Sequence, residues 1–260
     1  MTRENRWTVA QTYEKSYWEG IAKKIAANAA EQLTWYDWKA KELDKKLGQV
    51  GYQGRTAACR VLEIGSGPIG IVTYLSWGQR VALDPLCDFY AGNPELVSLR
   101  SGEVRYLTGG GESIPFPDGH FDMVIIDNVL DHVRAAGQVL DEIHRVLKSD
   151  GRLYMELNIH TSWGCMLHSL LAALRIDKGH PYSFTRDKIR SFLETHGMSI
   201  VREWQNDYHE AREADRTSDS LKAKVKAYTG LSEFIYFALC HKTENTGAAE
   251  PRASAAAAQR

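Results

Sequence analysis

The sequence predicts an α/β fold: a seven-stranded, mostly parallel sheet with helices on both faces and an N-terminal helical cap. Three observations carry this. Residues 61–70 read V-L-E-I-G-S-G-P-I-G, an apolar run entering a glycine-rich turn. Short apolar runs then alternate with helix-patterned segments, the crossover pattern that parallel strands require. Ahead of both lies an aromatic-rich stretch without strand pattern. An apolar strand, a glycine turn and a following helix make the sheet Rossmann-like.

In chain order, residues 7–47 read as helical and hold Trp7, Tyr13, Tyr17, Trp18, Trp35, Tyr36 and Trp38. Val9, Tyr13, Tyr17 and Ile21 recur at four-residue steps, which predicts one buried helix face. The rings either pack on the domain or cap a ligand mouth. G-Q-V-G-Y-Q-G at 48–54 reads as a linker, so the division is a cap at 1–50 and a nucleotide-fold domain at 51–243. Strands are expected at 59–64, 80–84, 104–108, 121–127 and 152–157, with helices at 69–77, 86–92 and 131–147. Leu140, Ile143, Val146 and Leu147 should face the sheet, and S-D-G at 149–151 should end that last helix. Runs at 199–204 and 233–240 complete seven strands. The polar stretch 206–229 between them has no clear assignment beyond a helix-compatible Leu221–Tyr228, and it reads as a mobile insertion. Residues 244–260 carry no packing pattern and read as a disordered tail.

The chain has 260 residues, 43% hydrophobic and 25% charged, with a formal net charge of −1. That suits one globular domain and gives no electrostatic reason to expect nucleic acid or an anionic membrane. No apolar run approaches the roughly 20 residues of a membrane span. The start, M-T-R-E-N-R-W, lacks a secretory core. Cys59, Cys87, Cys165 and Cys240 are scattered, without zinc or disulfide spacing, and no metal is expected. These features predict a soluble, reduced, cytoplasmic protein and leave a homodimer open.

Gly65, Gly67 and Gly70 match G-x-G-x-x-G, which alone does not choose a cofactor. Charge does. Glu63, on the strand end, would repel a dinucleotide pyrophosphate, whereas S-adenosylmethionine carries an ammonium and a sulfonium. Asp84 ends the next strand in R-V-A-L-D-P, about twenty residues past the first glycine, where a ribose-binding acid is expected. Its carboxylate could accept from both ribose hydroxyls; a turn Asp before Pro85 is the plainer alternative.

Residues 109–124 read G-G-G-E-S-I-P-F-P-D-G-H-F-D-M-V. With the two preceding motifs, this stretch resembles the class I S-adenosylmethionine-dependent methyltransferases, in particular their small-molecule (type 11-like) branch. The resemblance spans roughly 57–160. It implies that Gly111, Glu112 and Ser113 border the adenine ring, with Glu63, Gly65, Ser66, Gly67, Gly70, Asp84 and Pro85 forming the rest of the cofactor site. Gly111 departs from the alanine common there, a small change for a backbone contact.

Ligands in such sheets sit beyond the carboxyl ends of the strands. After the fourth strand, D-N-V-L-D-H-V is similar to the N-x-L-x-H-V of the small-molecule branch. Asp127 and Asn128 either line the methyl-transfer point or close the turn. His132, expected within a helix, reads first as a packed residue. His160, just after the fifth strand, is the stronger candidate base, with Asn158 beside it. In G-H-P-Y-S-F-T at 179–185, His180, Tyr182 and Phe184 either form a substrate wall or pack beneath a capped helix. The expectation is an O-methyltransferase acting on a sugar, glycoside or secondary metabolite, using His160 or His132 as base. N- or C-methylation, an NAD-dependent oxidoreductase and a non-catalytic cofactor-binding protein are the rivals.

Overall fold

The computed structural model describes residues 3–28, 33–173 and 182–243. The chain runs α1 (Arg3–Ala27), α2 (Trp35–Gln49), β1 (Arg60–Ile64), β2 (Gln79–Asp84), α3 (Cys87–Ala91), α4 (Pro94–Val97), β3 (Val104–Thr108), β4 (Phe121–Asp127) and α5 (Ala136–Val146). It continues through β5 (Leu147–Ile159), α6 (Ser162–Ala173), α7 (Arg186–Thr195), β6 (Met198–Gln205), α8 (Tyr208–Thr217), α9 (Leu221–Thr229) and β7 (Phe234–Lys242). The seven strands form one sheet in the order β3-β2-β1-β4-β5-β7-β6. Strands β1 to β5 pair in parallel, and β7 lies antiparallel between β5 and β6.

Each face of the sheet has its own core. On one, Val139, Leu140, Ile143 and Val146 of α5 pack with Leu62, Val124 and Leu153; the first three of these α5 residues and Val146 are fully buried. On the other, Trp18 of α1 and Tyr36, Leu43 and Leu47 of α2 share a cluster with Val61, Ile125 and Leu239. The N-terminal helices are therefore a layer of the main core.

Several expected elements differ. The buried line of α1 is Ala10, Trp18, Ala22 and Ile25, whereas Val9, Tyr13 and Tyr17 stay exposed. Four-residue steps were shared by two adjacent stripes, and the one holding the larger indole was buried. In place of a helix at 69–77 there is a single 3-10 turn, Ile71–Tyr74. Ile69, Ile71, Val72 and Thr73 are β-branched and lose rotamer freedom in a helix, and Glu63 claims two of the amides. The helix expected from 131 starts at Ala136, so 128–134 form turns, and Leu147 opens β5 instead of closing the helix. Residues 206–229, expected to be a mobile insertion, hold α8 and α9, capped by Asp207 and Ser220. The tail at 244–260 lies outside the described residues.

Candidate functional site

The glycine turn after β1 is shaped by what surrounds it. Gly65 and Gly67 have φ of 67° and 62°, a region costly for other residues. A Cβ on Gly65 would lie 2.5 Å from Val129 Cγ2, and one on Gly67 would collide with the Tyr36 hydroxyl. Asp84 ties this turn to the next: Gly67 N donates to its Oδ2 at 2.9 Å and Leu86 N to its Oδ1 at 2.7 Å. Glu63 holds the chain beyond: Ile71 N and Val72 N donate to its two oxygens at 3.0 and 2.9 Å. Glu63 is thus an anchor of the glycine loop whose charge bears on the cavity, and its carboxylate is already engaged by the backbone.

Asp127, the last residue of β4, pairs with Glu156 inside β5, and the two share one cation from α2. Lys39 Nζ lies 2.5 Å from Asp127 Oδ2 and 3.2 Å from Glu156 Oε1. Asp127 Oδ1 is buried and accepts no hydrogen bond among the described residues. Burial pushes Glu63 up to about 8, Asp84 up to about 6 and, with repulsion from Asp127, Glu156 up to about 7. Asp127 is raised by the same burial, while Lys39, despite burial, is held above the usual lysine range by its two carboxylates. Asp127 and Glu156 thus share one amine, and a cation entering beside these raised carboxyls would favour their ionisation.

One consequence is measurable without a ligand. The Glu63 carboxyl holds its proton more tightly folded than unfolded, where it titrates near roughly 4.3. Its stabilising contribution is therefore complete below that value and is lost as pH rises through about 8. The melting temperature should fall as pH climbs from about 5 to about 8, and Glu63→Gln should flatten that slope. Parallel slopes in the two proteins would show Glu63 to be ionised throughout.

Glu63, Asp84, Asp127 and Lys39, but not Glu156, border a cavity of about 310 Å³. Trp7, Gln11 and Tyr17 of α1 and Trp35 of α2 form its rim, with Trp18, Tyr36 and Lys39 deeper. Of the residues expected from sequence, Glu63, Gly65, Gly67, Asp84, Pro85, Gly111, Glu112, Asp127, Asn128 and His132 line it. Ser66 and Gly70 do not; the Ser66 hydroxyl donates to Gly67 O at 3.1 Å, inside the loop. Ser113 is exposed and away from the cavity. Glu112 Oε1 accepts from Arg134 N and Ala135 N at 2.9 and 3.3 Å, pinning the entry to α5. Asn128 is the one non-glycine with positive φ among the described residues, at 54°. Its Oδ1 accepts from Asn158 N at 3.0 Å, so it closes the edge between β4 and β5.

The two histidines exchange places relative to expectation. His132 lies in the turn before α5 and lines the cavity, its side chain 30% exposed, with Nε2 3.5 Å from Asp131 Oδ2. His160 is 5% exposed and outside the cavity. Its ring stacks on His168 at 5.0 Å and its Nε2 lies 3.6 Å from Glu233 Oε1. Extension of β5 to Ile159 carries the chain past the cavity before His160 is reached. Phe184 is buried in the core, and Thr185 caps α7 by accepting from Lys188 N at 3.3 Å. The Tyr182 hydroxyl donates to Arg134 O at 2.9 Å. Neither ring lines the cavity, and His180 lies outside the described residues. Sequence reasoning missed Lys39 and Glu156. Only Glu156 left a signal, a lone carboxylate in the apolar run Y-M-E-L.

A methyltransferase domain model matches residues 62–155, the span holding the glycine turn, Asp84, Glu112, Asp127 and His132. Over that span the chain is a methyltransferase domain similar to the class I S-adenosylmethionine-dependent enzymes. It is 30% identical over 121 residues to the uncharacterized methyltransferase YcgJ of Bacillus subtilis, a match covering 41% of this chain and 45% of that protein. The crystal structure of YcgJ superposes with a TM-score of 0.54 at 19% identity, over 77% of this chain and 99% of that one. A 52-residue match, 42% identical, links 20% of the chain to 21% of the ubiquinone/menaquinone biosynthesis C-methyltransferase UbiE of Psychromonas ingrahamii. Geranyl diphosphate C-methyltransferase of Streptomyces coelicolor, solved with S-adenosyl-L-homocysteine, shares the fold at 12% identity with a TM-score of 0.57, over 78% and 81% of the two chains. The sequence matches span less than half the length of both curated relatives. The methyltransferase core thus lies in β1 to β5, and α1 and α2 close the cavity outside the matched span.

Proposed function

We propose that this methyltransferase transfers the methyl group of S-adenosylmethionine to a hydroxyl of a small-molecule acceptor, with His132 as the base. The observation carrying the cofactor is the lining of the cavity: the carboxyls of Glu14, Glu63, Asp84, Glu112 and Asp127 border it with Lys39 as the one lysine or arginine, and Asp127 Oδ1 is buried with no hydrogen-bond donor among the described residues. An ammonium and a sulfonium suit that charge; a pyrophosphate does not. When bound, the cofactor supplies a methyl carbon already activated by its sulfonium. Asp84, at the ribose position, and the Gly110–Glu112 loop would fix the adenosine end, while α1 and α2 exclude water. The acceptor oxygen would take that methyl group, leaving the cofactor as the neutral thioether. His132 takes the hydroxyl proton, and Asp131 stabilises the resulting imidazolium. A sugar, glycoside or secondary metabolite is the acceptor class that the resemblance to the small-molecule branch suggests.

C-methylation is the second reading, favoured by the names of UbiE and the geranyl diphosphate enzyme. Titration calorimetry should give micromolar-range binding of S-adenosylmethionine or S-adenosyl-L-homocysteine and none comparable for NAD. Transfer from a methyl-labelled cofactor to a panel of hydroxylated metabolites, with the product located by NMR, then decides the atom. A labelled C–CH₃ product would replace the oxygen assignment; tight NAD binding would remove the whole proposal.

A further inference from the structure

The methyl-transfer cavity lies beyond the carboxyl ends of the parallel strands, and the opposite end of the sheet holds a second opening. It is a cleft of about 480 Å³, bordered by Arg60, Arg80, Glu103, Arg105, Phe116 and His120. The strand order β3-β2-β1-β4 brings these residues together from the starts of β1, β2 and β3 and from the loop ahead of β4. Three arginines thus meet one carboxylate at a place that methyl transfer does not use.

Strand alternation decides where the charges point. Val61, Val104 and Tyr106 pack on the α2 side of the sheet, so Arg60 and Arg105 project from the other face, over Val81, Phe116 and Phe121. Arg80 projects toward the α2 side, where it donates to Val72 O and Leu75 O and takes the Glu103 carboxylate. The carboxylates farther out are engaged as well. Asp122 pairs with Lys148 at 2.5 Å and accepts from Arg60 N at 2.8 Å, and Asp118 and Glu142 pair with Arg145 at 2.9 and 2.7 Å. Arg60 and Arg105 make no ion pair among the described residues.

An aromatic wall completes the cleft. The His120 ring packs on Phe116 at 5.1 Å and on Phe121 at 4.8 Å, and the Arg105 guanidinium lies 5.9 Å from the Phe116 ring. Burial holds the His120 imidazole below the usual histidine range; Arg60 and Lys148 press it lower, against a smaller opposite pull from Asp122. Guanidinium forks match phosphoryl oxygens bidentately. Arg60 pairs with Gln79 and Arg105 with Val81, so the two stand two strands and two residues apart, about 12 Å between Cα atoms. Two linked phosphoryl groups give each guanidinium its own partner, which a single phosphate does not.

We propose that this cleft binds a diphosphate group, carried either by inorganic pyrophosphate or by a nucleoside diphosphate. The site rests on neither the cofactor nor the acceptor assigned to the cavity. Titration calorimetry of the full-length protein with pyrophosphate and with cytidine diphosphate should show binding of both. Tighter binding of the nucleotide would mean that the aromatic wall takes a base; equal affinities would mean that the diphosphate alone is read. In NMR spectra the His120 ring signals should move on saturation with pyrophosphate, and its pKa should rise as the anion offsets Arg60 and Lys148.

Arg60→Gln with Arg105→Gln should weaken pyrophosphate binding roughly tenfold or more, because charge-assisted hydrogen bonds are lost. Both positions are exposed, and circular dichroism should show the double variant to be folded. Asp84→Ala, which alters the cavity, should leave pyrophosphate binding unchanged. Binding of neither probe, undiminished affinity in the double-arginine variant, or His120 signals that stay in place would overturn the proposal. So would a loss of pyrophosphate binding in folded Asp84→Ala, which moves the probe to the cavity, or sulfate binding as tightly as pyrophosphate, which reduces the cleft to general anion attraction.

Discussion

His132→Ala is expected to lower turnover by about 10² to 10⁴ at saturating cofactor, the usual loss for a general base. Cofactor affinity and melting temperature should barely move, because the ring stands in a turn on the cavity wall and is partly exposed. His160→Ala should do the reverse. Its ring is packed against His168 and near Glu233, so its removal should lower stability, on the order of 1–3 kcal/mol, with catalysis per folded molecule retained. Rates measured beside melting temperatures separate the two. A His132→Ala enzyme with undiminished turnover would leave positioning alone to carry the reaction. Asp131→Asn offers a second check: it should reduce turnover less than His132→Ala, since the carboxylate acts through the imidazole.

Asp84→Ala should weaken S-adenosylmethionine binding by about 1.5–3 kcal/mol, roughly 10- to 150-fold. Two losses combine there. The ligand loses a charge-assisted acceptor, and Gly67 N and Leu86 N lose the oxygens that fix both turns. Asp84→Asn keeps the shape and one acceptor oxygen, so its loss should be smaller. The two variants also differ from the wild type in pH dependence. Burial pushes the Asp84 carboxyl up to about 6, so wild-type affinity should decline as pH falls through that value, more steeply than that of Asp84→Asn. Calorimetry at several pH values measures both effects. Wild-type affinity in Asp84→Ala would place the ribose elsewhere.

Local backbone demands were readable in advance. Gly65, Gly67 and Asp84 could be assigned because a tight turn and a strand end impose their requirements within a few residues of sequence. Lys39 could not, for its contact with Asp127 joins residues 88 apart. Glu112 lines the cavity, and its carboxylate also serves the start of α5, a contact that sequence did not suggest. The exchange of the histidines has one cause. Topology gave the correct end of the sheet, but two extra residues of strand at β5 and a delayed start of α5 decided which ring reaches the cavity. The glycine turn suggested a helix at 69–77 that β-branching and the claims of Glu63 prevented.

The layer formed by α1 and α2 limits how the acceptor range of this protein can change. Trp18 and Tyr36 are core residues, and Lys39 neutralises two buried carboxylates, so substitution there would cost foldedness before it altered selectivity. Trp7, Gln11 and Tyr17 touch the same cavity from its rim without holding the sheet together. Selection for a new acceptor therefore has three inexpensive positions within one helix and a guarded interior behind them. Removing the N-terminal helices to open the cavity would leave Asp127 and Glu156 without their counter-ion and one face of the sheet uncovered.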